Sequence, residues 1–142
     1  MPALAELERE AFSDPWTSEQ LAEALSWTGA IAYLSEDDRG VTGYVLGRVV
    51  VDQAEILSIA TTVRCRRQGV AQALLDAALA RMIERGAAAA WLEVRMSNNA
   101  ARLMYERVGF VAAGLRRGYY RQPPEDALVL RRDLNDVRVS ES

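Results

Sequence analysis

Two stretches of the sequence hold residues whose types and spacing could carry chemistry. In WLEVR, residues 91–95, one acidic residue interrupts an otherwise apolar segment, and an acid in such a place can transfer protons. In RRQGVA, residues 66–71, arginines and a glycine directly precede an apolar helical pattern, an arrangement that suits anion binding at a helix N-terminus. The rest of the chain must position these two stretches.

Glu93 is the acid of the first stretch. Side chains alternate along a strand, so Trp91, Glu93 and Arg95 share one face of the sheet. Partial burial raises the pKa of a carboxyl group, which suits a general base. A glutamate on a solvated face, or one paired with Arg95, would explain the same residue without catalysis. The pattern alone leaves these alternatives open.

Gly69 is the glycine of the second stretch. The N–H groups at a helix start lack partners, and a residue without a Cβ lets a phosphate approach them closely. Arg66 and Arg67, just upstream, would add positive charge. The sequence has neither a GxxxxGK motif nor a GxGxxG motif, which disfavours P-loop and dinucleotide-binding sites. Ordinary helix capping beside surface arginines is the alternative.

Histidine and lysine are both absent, and all 17 basic residues are arginine. This composition excludes histidine-dependent nucleophiles, most zinc sites and Schiff-base chemistry, and leaves acid–base work to Asp, Glu, Tyr or Cys. The lone Cys65 cannot form an internal disulfide, and no base accompanies it, so we predict no functional role for its thiol. A chain with this cysteine content is expected in the cytoplasm.

Charge is distributed unevenly along the 142 residues. Residues 1–38 contain nine acids and one arginine, whereas the remainder contains eleven acids and sixteen arginines. The first part would favour a cationic partner, although ordinary solvated helix faces explain its acids equally well. No apolar run approaches the ~20 residues of a membrane span, and we expect neither a membrane nor nucleic acid as a direct partner.

The hydrophobic pattern predicts two helices, a three-stranded antiparallel meander, a helix, a strand, a helix and two closing strands. The fold class is therefore α/β of the α+β type, with a mixed, mostly antiparallel sheet. The strand–helix–strand step after the meander implies one parallel pair. The predicted strands are 29–35, 41–51, 54–62, 87–95, 110–115 and 127–132, with a hairpin turn at 36–40 and a capping box at 17–20.

These residues resemble the GNAT acetyltransferase family. RRQGVA matches the family's Q/R-x-x-G-x-G/A segment, and it follows a predicted strand and opens a helix, as in that family. WLEVRMSNNAARLMYERVGF (91–110), RRGYYRQPPEDALVL (116–130) and FSDPWTSEQL (12–21) are similar to RimI-type N-terminal protein acetyltransferases. The resemblance implies a GNAT fold with a closing β-hairpin, a single domain over residues 1–134, and a tail at 135–142.

The resemblance also implies roles for individual residues. Glu93 would be the general base, and Tyr105, which could equally be a packed aromatic, would be the general acid with an ordinary pKa of about 10. Peptide binding is expected of Trp16, Tyr119 and Tyr120, of which only one of the two adjacent tyrosines could face the site in a regular strand. Acetyl-CoA would contact Ile59, Ala60, Thr61, Arg66, Arg67, Gln68, Gly69, Val70, Ala71, Gln72 and Asn98.

The implied activity is direct transfer of an acetyl group from acetyl-CoA to a protein N-terminal amine, without a metal. The resemblance favours the N-terminal alanine of a small-subunit ribosomal protein as substrate. A broader protein N-terminal or lysine acetyltransferase, and a non-catalytic acetyl-CoA-binding module, are the alternatives.

Overall fold

The computed structural model describes residues 2–12, 15–66 and 68–134. The expected tail at 135–142 lies outside these ranges. In chain order the elements are α1 (Pro2–Ala11), α2 (Ser18–Leu25), β1 (Ala30–Asp37), β2 (Gly40–Val50), β3 (Gln53–Thr61), a 3₁₀ turn (Val63–Cys65), α3 (Val70–Glu84), β4 (Ala89–Arg95), α4 (Asn99–Arg107), β5 (Val111–Arg121) and β6 (Pro124–Asp133).

The six strands form one mixed sheet in the order β1-β2-β3-β4-β6-β5. The β3–β4 pair is parallel, and the other neighbours are antiparallel. The predicted fold class, the closing hairpin and the parallel pair are therefore confirmed. No helix in the described part of the chain is long and apolar enough to cross a membrane.

The differences from prediction lie at the strand ends. β1 runs to Asp37, which shortens the first hairpin turn from residues 36–40 to residues 38 and 39. β5 and β6 have 11 and 10 residues, longer than predicted, because Pro124 begins β6 rather than interrupting the pair. A proline is compatible with the first position of a strand.

Local signals set the helix ends. The Thr17 side chain accepts from the Gln20 N–H, and the Gln20 side chain accepts from the Thr17 N–H, so the predicted capping box is confirmed. Gly86 follows α3 with φ of 87°, a left-handed conformation that glycine adopts without strain. The start of α2 and the end of α3 are thereby set by chemistry that the sequence makes visible.

The helices cover the two faces of the sheet unequally. α3 and α4 pack on one face, over a core that includes Val45, Leu92 and Val94. α1 and α2 pack on the other face, over Tyr44 and Leu46, where they mainly contact β1, β2 and β3. Among the described residues, α1 and α2 do not extend over the part of this second face that β4, β6 and β5 form, and we call that part the open face.

One acidic side chain, Glu8 of α1, is completely buried against the sheet. The Trp16 N–H donates to Glu8 Oε1 at 2.8 Å, and the Ser58 hydroxyl donates to Oε2 at 2.6 Å. The Tyr44 hydroxyl also donates to Oε2, and burial, followed by the nearby Glu8 charge, raises the pKa of Tyr44. Three donors thus satisfy a buried carboxylate and fix α1 to β2 and β3.

Gly47 lies where β2 passes beneath α3. A Cβ at this position would stand 2.5 Å from Met82 Cε and 2.8 Å from the backbone oxygen of Glu55. Both distances are shorter than van der Waals contact, so β2 and α3 pack this closely because residue 47 has no side chain.

We predict that Gly47→Ala lowers the free energy of unfolding by about 1–3 kcal/mol, because overpacking pushes α3 away from the sheet. Urea unfolding followed by circular dichroism measures this change. Gly114→Ala is the matched control, since a Cβ there meets nothing nearer than Val129 Cβ at 3.9 Å. Equal loss of stability in the two variants would contradict the packing argument.

Candidate active site

The strands β3 and β4 are paired over only three residues each. Residues 53–55 of β3 pair with residues 89–91 of β4, and beyond this point the two strands separate. β3 continues to Thr61 alongside β2, and β4 continues to Arg95 alongside β6. Their inner edges therefore face each other across a cleft that opens at the carboxyl ends of both strands.

The register of β3 decides which of its backbone groups face the cleft. Opposite residues of an antiparallel pair alternate between bonded and non-bonded positions. The Thr62 N–H donates to the Thr42 oxygen at 2.8 Å, so the bonded positions recur at even-numbered residues such as Ala60. The N–H and C=O groups of Ile59 and Thr61 then point into the cleft. The register favours these two of the three expected backbone contacts and turns Ala60 toward β2.

The same alternation holds on β4. The Met96 N–H donates to the Asp126 oxygen at 3.3 Å, which makes the even-numbered residues of β4 the partners of β6. The backbone groups of Glu93 and Arg95 consequently point into the cleft from the opposite side. Hydrogen-bonding groups on both walls are thus available to an extended ligand with amide groups, such as a pantetheine arm.

The RRQGVA segment forms the turn between β3 and α3, at the mouth of this cleft. Gly69 precedes the helix with φ of 78°, and the Ala73 N–H donates to its oxygen at 3.0 Å. The N–H groups of Val70, Ala71 and Gln72 lie before this first intrahelical bond and lack helical partners. A Cβ at Gly69 would meet no atom within 4 Å, so the space in front of these groups is open. An anion can approach this helix end.

An ion pair stabilises the turn between β3 and α3. Arg64 donates two hydrogen bonds to Asp37 at 2.6 and 3.0 Å, and its guanidinium lowers the pKa of Asp37 to about 2. The Gln68 side chain donates to the Arg64 carbonyl at 3.1 Å. Arg66 is exposed beside this turn, whereas Arg67 lies outside the described residues. The bonds of Arg64 and Gln68 hold the loop in shape before any ligand binds.

Cys65 is buried within the same turn, with only 5% of its surface exposed. The Arg64 guanidinium lies 3.6 Å from its sulfur. Reactive cysteines are at least partly accessible. The buried position agrees with a packing role for this side chain.

Glu93 lies on the open face with 24% of its side chain exposed. Its Oε1 accepts a hydrogen bond from Arg116 of β5 at 2.9 Å. The ion pair of Glu93 is thus with Arg116, and Arg95 is paired with Glu125. Leu92 and Val94, on either side of Glu93, point into the opposite core, as strand alternation requires.

Tyr105 lies beneath the other face, packed edge-on against Phe110 with ring centroids 5.9 Å apart. Only 6% of its surface is exposed. Burial, and then the neighbouring Tyr120, raise the pKa of Tyr105 above the ordinary value that the sequence led us to expect. Glu93 and Tyr105 therefore lie on opposite faces of the sheet.

The closing hairpin brings both adjacent tyrosines to the open face. Gly118 has φ of 62°, and the β5–β6 register shifts between Arg116 and Tyr120. The irregularity breaks strict alternation, and the Tyr119 and Tyr120 rings stack edge-on with centroids 5.0 Å apart. Arg116 lies over the Tyr119 ring at 4.8 Å. The condition under which only one of the two rings could face the site, a regular strand, is therefore not met, and the peptide contacts of Tyr119 and Tyr120 stay predictions.

Two further predicted residues have structural partners. The Asn98 side chain accepts from the Ala101 N–H at 3.2 Å and caps α4. Trp16 is half-buried against the core beneath α1 and α2, and its backbone N–H donates a hydrogen bond to Glu8. The acetyl-CoA contact of Asn98 and the peptide contact of Trp16 stay predictions.

Sequence reasoning missed Arg116 and Glu125 at this site. Glu125 of β6 accepts from the Ser97 N–H at 2.6 Å and from the Ser97 hydroxyl at 3.1 Å, and chiefly this hydroxyl lowers the pKa of Glu125. Arg116 is 23 residues from Glu93 along the chain. Neither pairing has a local signal, because both depend on the register of the closing hairpin.

Comparison with known proteins agrees with this geometry. Residues 1–110 match the Acetyltransferase (GNAT) family. The chain is 33% identical over 132 residues to the [ribosomal protein bS18]-alanine N-acetyltransferase of Escherichia coli K12, covering 92% of this chain and 88% of that protein.

Solved structures show the same similarity. The ribosomal-protein-S18-alanine N-acetyltransferase from Escherichia coli superposes with a TM-score of 0.86 and 32% identity, covering 94% of this chain and 86% of that one. Ard1 from Thermoplasma volcanium superposes with a TM-score of 0.83 and 26% identity, covering 93% and 89% of the two chains.

We predict that Gly69→Ala weakens acetyl-CoA binding by about tenfold or more, because a methyl group at a left-handed position strains the turn and obstructs the helix end. Isothermal titration calorimetry with acetyl-CoA measures the dissociation constant. Gly86→Ala is the matched control: it has φ of 87°, equally open space around its Cβ, and lies at the other end of α3. Equal weakening by both variants would contradict an anion site at Gly69.

Proposed function

The chain belongs to the GNAT acetyltransferase family and is an N-acetyltransferase that uses acetyl-CoA, and on that premise we propose that it acetylates the N-terminal alanine of ribosomal protein bS18. We choose this substrate because the relatives that are named for this activity are 33% identical to the chain. With ribosomal protein as substrate, the reaction takes place in the cytoplasm.

The observation that carries the proposal is the placement of Glu93. This carboxylate stands at the cleft on the open face, over which α1 and α2 do not extend, so a peptide can reach it from the side of the hairpin tyrosines. Acetyl-CoA supplies the acetyl group from the cleft, where the α3 N-terminus and the inner edges of β3 and β4 suit its pyrophosphate and its amide-containing arm. A module that only bound acetyl-CoA would use this carboxylate for its ion pair with Arg116 alone.

Glu93 acts as the base. An α-amino group has a pKa of about 8, so part of the substrate amine is already neutral at pH 7, and the carboxylate has only to accept the proton that the amine loses. Arg116 bonds one oxygen of Glu93 at 2.9 Å. A carboxylate can accept hydrogen bonds at both oxygens, so the amine or an intervening water can be accommodated together with the arginine.

Tyr105 acts as the acid. Burial raises the pKa of Tyr105, so its phenol keeps its proton throughout the neutral range, and in this mechanism that proton passes to the CoA sulfur as the sulfur departs. Backbone N–H groups of Ile59 or Thr61, which point into the cleft, stabilise the negative charge on the reacting oxygen. The chain needs no covalent intermediate for this sequence of steps.

A peptide panel tests the substrate. The protein is incubated with acetyl-CoA and with peptides that begin with the bS18 N-terminal sequence, with other N-terminal residues, or with a blocked N-terminus and an internal lysine. Mass spectrometry should find the α-amino acetyl group on the bS18 peptide first. Preferred acetylation of the lysine peptide would identify the broader lysine acetyltransferase, and CoA release from none of the peptides would favour the non-catalytic module.

We predict that Glu93→Gln and Tyr105→Phe each lower kcat by about 100-fold or more while the acetyl-CoA dissociation constant changes less than about twofold. The first variant removes the base, and the second removes only a hydroxyl from a ring that stays packed on Phe110. Steady-state CoA release with the best peptide measures the effect.

Two isosteric controls accompany these variants. Glu84→Gln changes an exposed acid of α3, and Tyr33→Phe changes a half-buried tyrosine of β1. Both should retain wild-type kcat. A wild-type rate in Glu93→Gln would remove Glu93 from the proposed mechanism.

A further inference from the structure

The side chain of Arg95, in β4, makes several contacts with the closing hairpin. Its guanidinium donates to the Gln122 carbonyl at 3.0 Å and to the Pro123 carbonyl at 2.9 Å. The same group is paired with Glu125 at 3.2 Å and lies 4.2 Å from the centre of the Tyr120 ring. One side chain of β4 thus contacts both strands of the hairpin and the turn between them.

The ion pair between Arg95 and Glu125 is partly shielded from water, whereas the bonds from Arg95 to the Gln122 and Pro123 carbonyls lie in an exposed turn. The side chains of Arg95 and Glu125 are 18% and 20% exposed, whereas Arg116 on the same face is 55% exposed. Hydrogen bonds between charged groups, or to a charged group, are stronger when water is excluded. A fork-shaped guanidinium can satisfy two carbonyls and a carboxylate at once, which a lysine ammonium cannot do with the same geometry.

These contacts hold the hairpin tip, residues 118–126, in position. β5 is the edge strand of the sheet and is exposed almost throughout, so its neighbour in the sheet is β6 alone, with which it pairs at its far end at Tyr120 and Arg121. Direct β5–β6 pairing is interrupted between Arg116 and Tyr120. The hairpin tip is attached to β4 and to the turn before α4 through the Arg95 contacts, through the Met96 N–H bond to the Asp126 oxygen, and through Glu125, which also binds Ser97.

The position of the tip matters for the open face. Tyr120 is on the tip side of the irregularity, beneath Arg95, and it packs edge-on against Tyr119 at 5.0 Å. Tyr119 in turn stacks with Arg116, the residue that bonds Glu93. A chain of direct contacts therefore runs from Arg95 through the two tyrosines to the carboxylate of Glu93.

We infer that Arg95 is a positioning residue for peptide binding: it fixes the hairpin tip against the end of β4, so that Tyr119 and Tyr120 stand beside Glu93 before a peptide arrives. The inference rests on the proposed function, because it takes the open face to be the peptide side of the enzyme. Arg95 itself takes no part in proton transfer. Its effect is on how well the peptide binds.

Kinetics of Arg95→Gln test the inference, with the bS18 N-terminal peptide as the variable substrate. Loss of the fixed tip should raise the peptide KM by about 10- to 100-fold, while kcat and the acetyl-CoA KM stay within about twofold of wild type. Arg95→Lys keeps the charge and one hydrogen bond, and its peptide KM should lie between those of wild type and Arg95→Gln. A merely structural role would lower the active fraction, and hence kcat, without raising the peptide KM.

Arg131→Gln is the matched control. Arg131 is also on the open face, lies 5.3 Å from the Trp91 ring and is paired with Asp133 at 2.6 Å, but its described contacts do not include the hairpin tip. Its peptide KM should be unchanged. A peptide KM within twofold of wild type in Arg95→Gln, or an equal rise in Arg131→Gln, overturns the inference.

Hydrogen exchange separates this inference from the proposed function. Backbone amides of residues 118–126 should exchange at least about tenfold faster in Arg95→Gln than in wild type, with the amides of α3 unchanged, and Arg131→Gln should match wild type. A wild-type enzyme that acetylates no peptide is a failure of the proposed function, and exchange then decides alone whether Arg95 fixes the tip. Unchanged exchange at the tip overturns the inference. If Arg95→Gln does not fold, Arg95→Lys gives the same two readouts.

Discussion

The separation of β3 from β4 after three paired residues is the constraint on which the rest of the site depends. A continuous parallel ladder would bond the inner edges of both strands to each other and leave nothing for a ligand. Here each strand stays bonded to its outer neighbour, so the sheet remains whole while two rows of backbone groups are left facing a gap.

The sequence predicts well where the signal is local. The capping box at Thr17 and the left-handed glycines around α3 follow from residue types a few positions apart. The open face could not be predicted in this way, because Gly118 and the register shifts of β5 break the alternation from which strand faces are read. The burial of Glu8 is partly predictable from the sequence. Glu8 shares the helical face of Leu4 and Leu7, and this spacing indicates that its side chain is buried.

Three arginines on the open face make the same two kinds of contact. Arg95, Arg116 and Arg131 each combine an aromatic ring with a carboxylate, a pairing that suits a planar guanidinium better than an ammonium. The complete absence of lysine extends this choice to the entire chain. An enzyme that acetylates amines therefore carries no side-chain amine that its own bound acetyl-CoA could modify.

The buried Glu8 has a consequence for the order in which the chain acquires its structure. α1 leaves the ribosome before Tyr44 and Ser58, which bind the Glu8 carboxylate and are 36 and 50 residues further along the chain. Until the β2–β3 hairpin has been synthesised, α1 has no surface on which to bury Leu4 and Leu7. During translation the first helix must wait for the middle of the protein, as expected for contacts of high sequence separation.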